Sequence, residues 1–219
     1  MSPSSGLTTG GEMITLTGSD LAGTTAVRIG NQACASFTVV SDTSVKCVTP
    51  AGTAGTVDVE VTAYKETATK TAAYTYVAPF ISLALSDPQI NLSGPPRQLL
   101  ADHLTANVRT NLLNGYRLDI EAAEPRLKCA VSNNYIKPLT SAGPMANNYW
   151  GYAVDSNVTP TEPSSWLGLS AVPATIKNFS TATDPTAGDN TRIWFATQAD
   201  HTLPACNYKG VITITAMGK

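Results

Sequence analysis

The feature of the sequence that most restricts its fold is a two-residue alternation of apolar and polar side chains in short runs. In "TVDVEVT" (residues 56–62) valines alternate with polar residues, and in "GYRLDIEA" (115–122) Tyr, Leu, Ile and Ala alternate with Arg, Asp and Glu. Successive side chains of a β-strand point to opposite faces of the sheet, so this period predicts strands with one buried face. The chain is therefore predicted to be all-β.

Twelve segments have this alternation or a strand-like composition, and turn residues separate them. They are residues 12–18, 25–31, 35–40, 44–50, 56–62, 72–77, 80–85, 104–110, 115–122, 150–154, 191–197 and 210–217. The segment "RQLLADHL" (97–104) is predicted instead to form two turns of helix, although nothing caps it convincingly.

A change of composition at residues 78–80 divides the chain. In "APFISLALSDP" (78–88), Pro79 and Pro88 bracket a new apolar run. A chain of 219 residues is also longer than most single domains. We predict two tandem β-sandwich domains, a first of residues 1–78 and a larger second of residues 79–219 with long loops.

The cysteines fall as one pair in each half: Cys34 and Cys47, then Cys129 and Cys206. An even number split in this way favours two disulfides and an oxidising compartment, so we expect an extracellular or cell-surface location. Three pairings are possible, and we predict 34–47 and 129–206 because each stays within one domain. Four buried free thiols in a cytosolic protein are the alternative.

The charge pattern excludes several classes of partner. Charged residues make up 14% of the chain, the net charge is -2, and there is no cluster of Lys and Arg. A protein that binds nucleic acid or an anionic membrane needs such a cluster, so we expect neither partner. The apolar runs are far shorter than the roughly 20 residues that cross a bilayer, which predicts no membrane insertion by this fragment.

Residues 3–77 resemble the IPT/TIG family of immunoglobulin-like domains. The resemblance rests on "GGEMITLTGSDL", "AVRIGNQAC", "FTVVSDTSVKCVTPAGTAGTVDVEVT" and the final "YTYV", in that order. It implies an Ig-like β-sandwich that acts as a spacer or interaction module in extracellular bacterial proteins or receptors. It implies no catalytic residues.

Residues 80–217 resemble β-sandwich modules of bacterial surface proteins, including pilin-like and WxL-like modules. The segments that carry this likeness are "TNLLNGYRLDIEA", "NNYWGYAV", "IWFATQAD" and the closing "ACNYKGVITITA". Tandem sandwiches of this kind imply adhesion, display or the building of a stalk.

Aromatic residues of the second half are the candidate ligand-binding groups. Trp150 and Trp194 lie in predicted strands, where such rings more often fill the space between two sheets. Trp166, between Pro and Ser residues, is predicted to be the exposed ring. We take Tyr149, Tyr152 and Trp166 as the candidate ligand-binding residues.

The turn "DPTAGDN" (184–190) is a weak candidate for calcium. Asp184, Asp189 and Asn190 supply oxygens, but the spacing is not that of an EF-hand, and an Asx-rich turn explains the same residues. We therefore expect no cofactor and no metal. Asp200 and His201 suggest a catalytic dyad, but adjacent strand residues face opposite ways and no G-x-S-x-G turn is present.

Long polar loops of the second domain are where recognition is expected, because long loops of compact domains are usually functional. We predict a non-catalytic adhesin or structural module that binds a protein or glycan on a cell surface through these loops. The alternative is a carbohydrate-binding accessory module of a glycan-active enzyme. That alternative predicts exposed, coplanar aromatic rings, whereas the adhesin predicts that Trp150 and Trp194 are buried.

Overall fold

A computed structural model describes residues 1–155 and 163–219 of the chain. It separates into two compact units, Met1–Pro79 and Phe80–Lys219, so the division falls one residue after the position predicted from composition. Within the described residues the regular elements are all strands, which confirms the predicted all-β fold class. The same residues contain no helix long and apolar enough to cross a bilayer.

The described residues form 18 strands. In the first unit they are β1 (Ser5–Leu7), β2 (Met13–Thr17), β3 (Thr24–Ile29), β4 (Gln32–Ala33), β5 (Ser36–Ser41), β6 (Ser44–Val48), β7 (Gly55–Ala63) and β8 (Glu66–Val77). In the second unit they are β9 (Ile81–Leu85), β10 (Leu99–Thr110), β11 (Tyr116–Ala122), β12 (Leu127–Cys129), β13 (Tyr135–Pro138), β14 (Tyr149–Asp155), β15 (Ala174–Phe179), β16 (Asp189–Gln198), β17 (Tyr208–Lys209) and β18 (Ile212–Gly218).

The first unit is a sandwich of a five-stranded and a three-stranded sheet. The larger sheet has the order β1-β8-β7-β3-β4 and the smaller the order β2-β6-β5. Alternate residues of these strands are buried and form one core that includes Ile14, Val27, Val45, Val59 and Tyr74. Burial raises the pKa of the Tyr74 phenol to about 12, and the nearby Glu12 carboxylate adds to the effect.

The second unit is a sandwich of a seven-stranded and a three-stranded sheet. Their orders are β17-β12-β13-β14-β16-β10-β9 and β15-β11-β18. The apolar face of β11 and residues 104, 106 and 108 of β10 are buried in a common core, with Leu118, Ile120, Ala106 and Val108 inaccessible to solvent. The odd-numbered residues of both strands consequently lie on the outer faces of the two sheets.

The predicted helical turns at residues 97–104 were wrong, because this segment begins strand β10. Ten consecutive residue pairs join β10 to β16, from Leu99 opposite Gln198 to Val108 opposite Asp189. Strand β9 pairs with the other edge of β10 from residue 106 onward. Pairing with neighbouring strands satisfies the backbone of a segment whose own sequence has no helix cap, so tertiary context decides its conformation.

Both units carry the predicted disulfide. The Cα atoms are 5.9 Å apart in Cys34–Cys47 and 5.7 Å apart in Cys129–Cys206. The first bond spans 13 residues and joins the segment between β4 and β5 to β6, whereas the second spans 77 residues. A longer closed loop loses more freedom in the unfolded chain, so the second bond restricts that chain more.

Candidate functional site

The aromatic residues predicted to bind a ligand are mostly buried. Trp166 is 1% exposed and Tyr152 is 5% exposed, so the expectation that Trp166 is an exposed ring was wrong. Trp150 and Trp194 are buried, as expected for core rings, and the Trp150 ring N–H donates to the Pro125 carbonyl at 3.0 Å. Tyr149 remains half-buried at the start of β14.

Trp166 is buried because two loop segments, residues 139–145 and 166–168, lie against the outer face of the seven-stranded sheet. We call these segments the cover. The backbone N–H of Trp166 donates to the Gly143 carbonyl at 2.7 Å, and that of Gly143 donates back at 3.0 Å. Trp166 then packs with Trp194 and Ala153 in a second apolar cluster, which Leu139 and Met145 border.

Two glycines allow close backbone contacts at the cover, Gly151 between the cover and the sheet and Gly168 between the two segments of the cover. A Cβ atom on Gly151 would lie 2.6 Å from the Leu167 carbonyl oxygen, and one on Gly168 would collide with the carbonyl oxygen of Leu139. Backbone approaches backbone at both points, so a side chain at either position would push the cover outward.

The proposed calcium residues are each engaged in a different contact. Asp184 accepts backbone hydrogen bonds from Ala187 (2.6 Å) and Thr186 (2.7 Å), which lower the pKa of its carboxyl. The Asn190 side chain accepts a hydrogen bond from Asn107 at 2.8 Å. Asp184 therefore forms the Asx turn considered above, and the described residues contain no cluster of His, Cys, Asp or Glu that could hold a metal.

Asp189 closes one end of the second core. Its carboxylate lies 2.8 Å from the Lys177 ammonium and accepts a 2.6 Å hydrogen bond from the Tyr116 hydroxyl. Burial, followed by the hydrogen bond and negative charge of Asp189, raises the pKa of Tyr116. Lys177 belongs to the three-stranded sheet and Asp189 to the seven-stranded sheet, so this ion pair joins the two sheets.

The Asp200 side chain fixes the loop around it by hydrogen bonds to Thr202 and Asn148, and it does not orient His201. Its carboxylate accepts hydrogen bonds from the Thr202 hydroxyl (2.5 Å) and the Asn148 amide (3.0 Å). These bonds, with the Thr202 hydroxyl first, lower the pKa of Asp200 to about 2. The Asp200 N–H in turn donates to Asn148, which lies just after the cover segment 139–145.

The outer face of the three-stranded sheet carries a groove of about 190 Å³. We call it the outer groove. Its polar lining is Asp119, Glu121, Thr213 and Thr215, and its apolar lining includes Pro173 and Met217. The register of β11 and β18 places Asp119 opposite Thr215 and Glu121 opposite Thr213, so each carboxylate has a hydroxyl beside it.

The Asp119 carboxylate is held in place from both sides. Only 5% of Asp119 is exposed, although it lies on the outer face of the sheet. One oxygen accepts a hydrogen bond from the Thr175 hydroxyl at 2.8 Å, and the other lies 3.0 Å from the Arg117 guanidinium. Arg117 balances this charge, whereas Glu121 adds a second carboxylate to the groove.

Part of this site could be predicted from the sequence. The alternation in residues 115–122 predicts that Asp119 and Glu121 face away from the core, and the same period in 210–217 predicts it for Thr213 and Thr215. Their meeting depends on the pairing register of β11 with β18, two strands about a hundred residues apart in the sequence. No local signal specifies that register.

A comparison with known families matches the first unit. Residues 1–77 match the IPT/TIG domain family, which agrees with the resemblance found in residues 3–77. None of the curated proteins with which the sequence was compared matches it. The likeness of the second unit to pilin-like and WxL-like modules stays a prediction.

Solved structures give only distant likenesses. SGBP-B from a complex xyloglucan utilization locus in Bacteroides uniformis is 12% identical, with 92% of this chain and 69% of that chain covered and a TM-score of 0.28. A crystal structure with xylogluco-oligosaccharide is 14% identical, with 96% and 56% covered and a TM-score of 0.29. The present chain thus spans little more than half of the latter protein.

A third structure, of a fragment described as domains CD, is 12% identical, with 100% and 97% covered and a TM-score of 0.31. At such low TM-scores these likenesses bear neither on the fold nor on the ligand of the present chain. What the comparisons establish is that residues 1–77 form an Ig-like β-sandwich of the IPT/TIG domain family.

Proposed function

We propose that this chain is a non-catalytic recognition module that works outside the cytoplasm, and that its second unit binds a glycan in the outer groove. Two disulfides support an oxidising compartment, because such bonds rarely persist in a reducing cytosol. The glycan is the partner that the chemistry of the groove fits best.

The observation that carries the proposal is the composition of the outer groove. Each sugar hydroxyl both donates and accepts hydrogen bonds, and carboxylates are strong acceptors while threonine hydroxyls do both. Asp119 and Glu121 of β11 lie opposite Thr215 and Thr213 of β18, and Met217 and Pro173 provide apolar contact for the C–H face of a sugar ring. A pairing of carboxylates with hydroxyls beside apolar groups suits a carbohydrate.

The size of the groove favours one ring of a longer chain. Its volume of about 190 Å³ is below the roughly 300–1,000 Å³ of pockets that enclose a drug-sized ligand. A single sugar residue can therefore occupy it while the polymer continues across the sheet. The Asp119 side chain is already fixed by Thr175 and Arg117, so it loses little conformational freedom when a ligand binds.

Adhesion to a protein is the second candidate, and two observations favour it. Trp150 and Trp194 are buried, as that interpretation predicts, and apolar side chains are exposed beside the groove. Val172 and Val211 are each 72% exposed, and both lie at the end of the three-stranded sheet where Ala122 ends β11. Exposed apolar side chains beside a polar groove are common in protein interfaces. The recognition by long loops predicted from the sequence belongs to this candidate, although part of those loops packs into the cover.

A binding panel tests the proposal. The full chain is passed over immobilised xyloglucan, mixed-linkage glucan, mannan, pectin and chitin, and a protein extract of host cell surfaces serves as the competing arm. We expect retention on at least one polysaccharide and about tenfold weaker binding by Glu121→Gln, because a neutral amide oxygen accepts a weaker hydrogen bond than a carboxylate does. Glu124→Gln, at an exposed position outside the groove, is the matched control.

Two results would contradict the proposal. One is the absence of retention on any polysaccharide, with binding to a protein instead, which would support adhesion to a protein. The other is unchanged binding by Glu121→Gln. Bound oligosaccharides are also recovered after incubation and their lengths compared, because a non-catalytic module leaves them intact and an enzyme shortens them.

A further inference from the structure

The turn between β7 and β8 has an unusual residue at its tip. Tyr64 and Lys65 are its two central residues, and both have positive φ angles, 50° and 71°. A two-residue hairpin turn of this kind normally has Asn-Gly, because a bulky side chain at positive φ is strained. The sequence thus places an aromatic residue where the backbone disfavours one.

Burial of the Tyr64 side chain does not offset this strain, because Tyr64 is 65% exposed. The ring is nevertheless supported on one side. Its carbon atoms lie against Gly23, where a Cβ atom would be only 2.6 Å from the ring, and the Tyr64 N–H donates to the Gly23 carbonyl at 3.3 Å. The result is a fixed aromatic ring that presents the rest of its surface to solvent.

The surroundings of the ring are polar. Its neighbours along the chain, Lys65, Glu66 and Thr67, are all exposed, and the Thr67 hydroxyl lies 2.9 Å from that of Thr62 across the hairpin. Protein interfaces usually bury an aromatic residue within an apolar centre. An isolated ring among hydroxyl and charged groups suits a ligand that is apolar on one face and polar around its edge, which describes a pyranose sugar.

We propose that Tyr64 is a second carbohydrate contact, located in the first unit, on which a pyranose ring stacks. This inference rests on the proposed function, since the sugar belongs to the same class of ligand as that of the outer groove. The negative face of the phenol ring attracts the polarised C–H bonds of the sugar, while Lys65 and the threonine hydroxyls are available to its hydroxyl groups. Strain at the turn is retained because it holds the ring in this position.

Two contacts on separate units have a consequence for affinity. A second contact adds to the affinity for a polysaccharide only if one polymer chain reaches both sites.

The test is an NMR titration of the full chain with four methyl pyranosides, those of glucose, galactose, mannose and xylose. The tyrosine rings are isotope-labelled, and Tyr135, a partly exposed ring of the second unit, is the internal control. We expect saturable shifts of the Tyr64 ring signals with at least one sugar and none of comparable size at Tyr135. Glu121→Gln leaves the Tyr64 shifts unchanged, because the groove is a different site.

Two variants test whether the Tyr64 ring causes the signal shifts on addition of the sugar. Tyr64→Asn removes the ring, and Asn suits a positive φ angle, so we expect this variant to be at least as stable as the wild type. Its binding is followed by the backbone amide signals of the turn, which we expect the sugar no longer to shift. Tyr64→Phe keeps the ring and retains these shifts. The inference is overturned if none of the four sugars shifts Tyr64 saturably, or if Tyr64→Asn responds as the wild type does. Either result leaves glycan binding by the outer groove standing.

Discussion

The second unit has two outer sheet faces, which differ in polarity and in whether loops cover them. On the seven-stranded sheet the outer face carries Trp194, Ala153 and Ala196, and the cover buries them under Trp166. On the three-stranded sheet the outer face carries Asp119, Glu121 and a row of threonines, and it holds the outer groove. One face is thus apolar and covered, and the other is polar, with its threonines exposed and the Asp119 side chain buried.

The difference separates loops that serve stability from the surface on which we propose recognition. An apolar outer face must be covered to keep it from water, and part of the long loops does this. A face with carboxylates and hydroxyls at fixed spacing has no such need. We therefore place recognition on the groove side and expect substitutions in the cover to change the free energy of unfolding much more than substitutions in the groove.

The largest effect is expected for Trp166→Ala. The Trp166 ring is 1% exposed, so its removal leaves a cavity between the cover and the sheet. We expect the free energy of unfolding to fall by about 4 kcal/mol, measured by denaturant unfolding of the full chain. The neighbour Leu167 is 44% exposed, and Leu167→Ala is the control with a loss below about 1 kcal/mol. Equal losses for both would show that the cover does not pack as described.

The second-largest loss of stability is expected where the two segments of the cover approach each other closely. In Gly168→Ala the added Cβ collides with the Leu139 backbone, and we expect a loss of about 2 kcal/mol. Gly143→Ala is the matched control in the same cover, because nothing lies within 4 Å of its Cβ position. Its expected change is about 0.5 kcal/mol or less. Thermal unfolding of both variants measures the difference, and equal shifts would contradict the close packing.

A smaller effect is expected on the groove side. Asp119→Asn weakens one ion pair with Arg117, which is half exposed, and one hydrogen bond from Thr175. Solvent screens the ion pair, so we expect a loss of about 1 kcal/mol in unfolding free energy. Calorimetry compares this variant with Trp166→Ala. A loss as large as that of Trp166→Ala would mean that the groove is a structural element as much as the cover is.

The smallest effect is a pH dependence near the cover. The pKa of Asp200 is about 2 in the folded chain, below its ordinary value of 3.8, because Thr202 and Asn148 hydrogen-bond to its carboxylate. Its contribution is therefore present above about pH 4 and is lost as the pH falls toward 2. We expect the acid side of the stability profile to be flatter in Asp200→Asn. Denaturant unfolding at steps of half a pH unit measures how the free energy of unfolding depends on pH in the wild type and in Asp200→Asn. Identical slopes would contradict a stabilising role for the Asp200 hydrogen bonds.

The sequence predicted the elements that alternation reveals. All twelve predicted strand segments correspond to strands, and β11 is buried on the face that the pattern of residues 115–122 indicates. Shorter strands such as β4, with two residues, and β12, with three, give no periodic signal and were not predicted. Only the beginning of β10, within residues 97–104, was mistaken for helix, because "LLAD" does not alternate; its pairing with β16 decides its conformation.

The candidate site was harder to predict than the fold. Trp166 lies in a segment rich in Pro and Ser, which suggests exposure, but the segment pairs with Gly143 of the cover and, through Leu167, with Tyr152 of β14. Burial that depends on a contact 23 residues away leaves no local pattern. The same reason applies to the outer groove, where the outward direction of Asp119 was predictable but its neighbour Thr215 was not.

The most direct test of the account is to map the bound glycan on the two outer faces of the second unit. Backbone amide shifts of the full chain are measured with the polysaccharide fragment from the panel that binds most tightly. We predict shifts in β11 and β18, centred on Asp119, Glu121 and Thr215, with none of comparable size in residues 139–145 and 166–168. Shifts confined to the cover would contradict the account, because recognition would then belong to the loops.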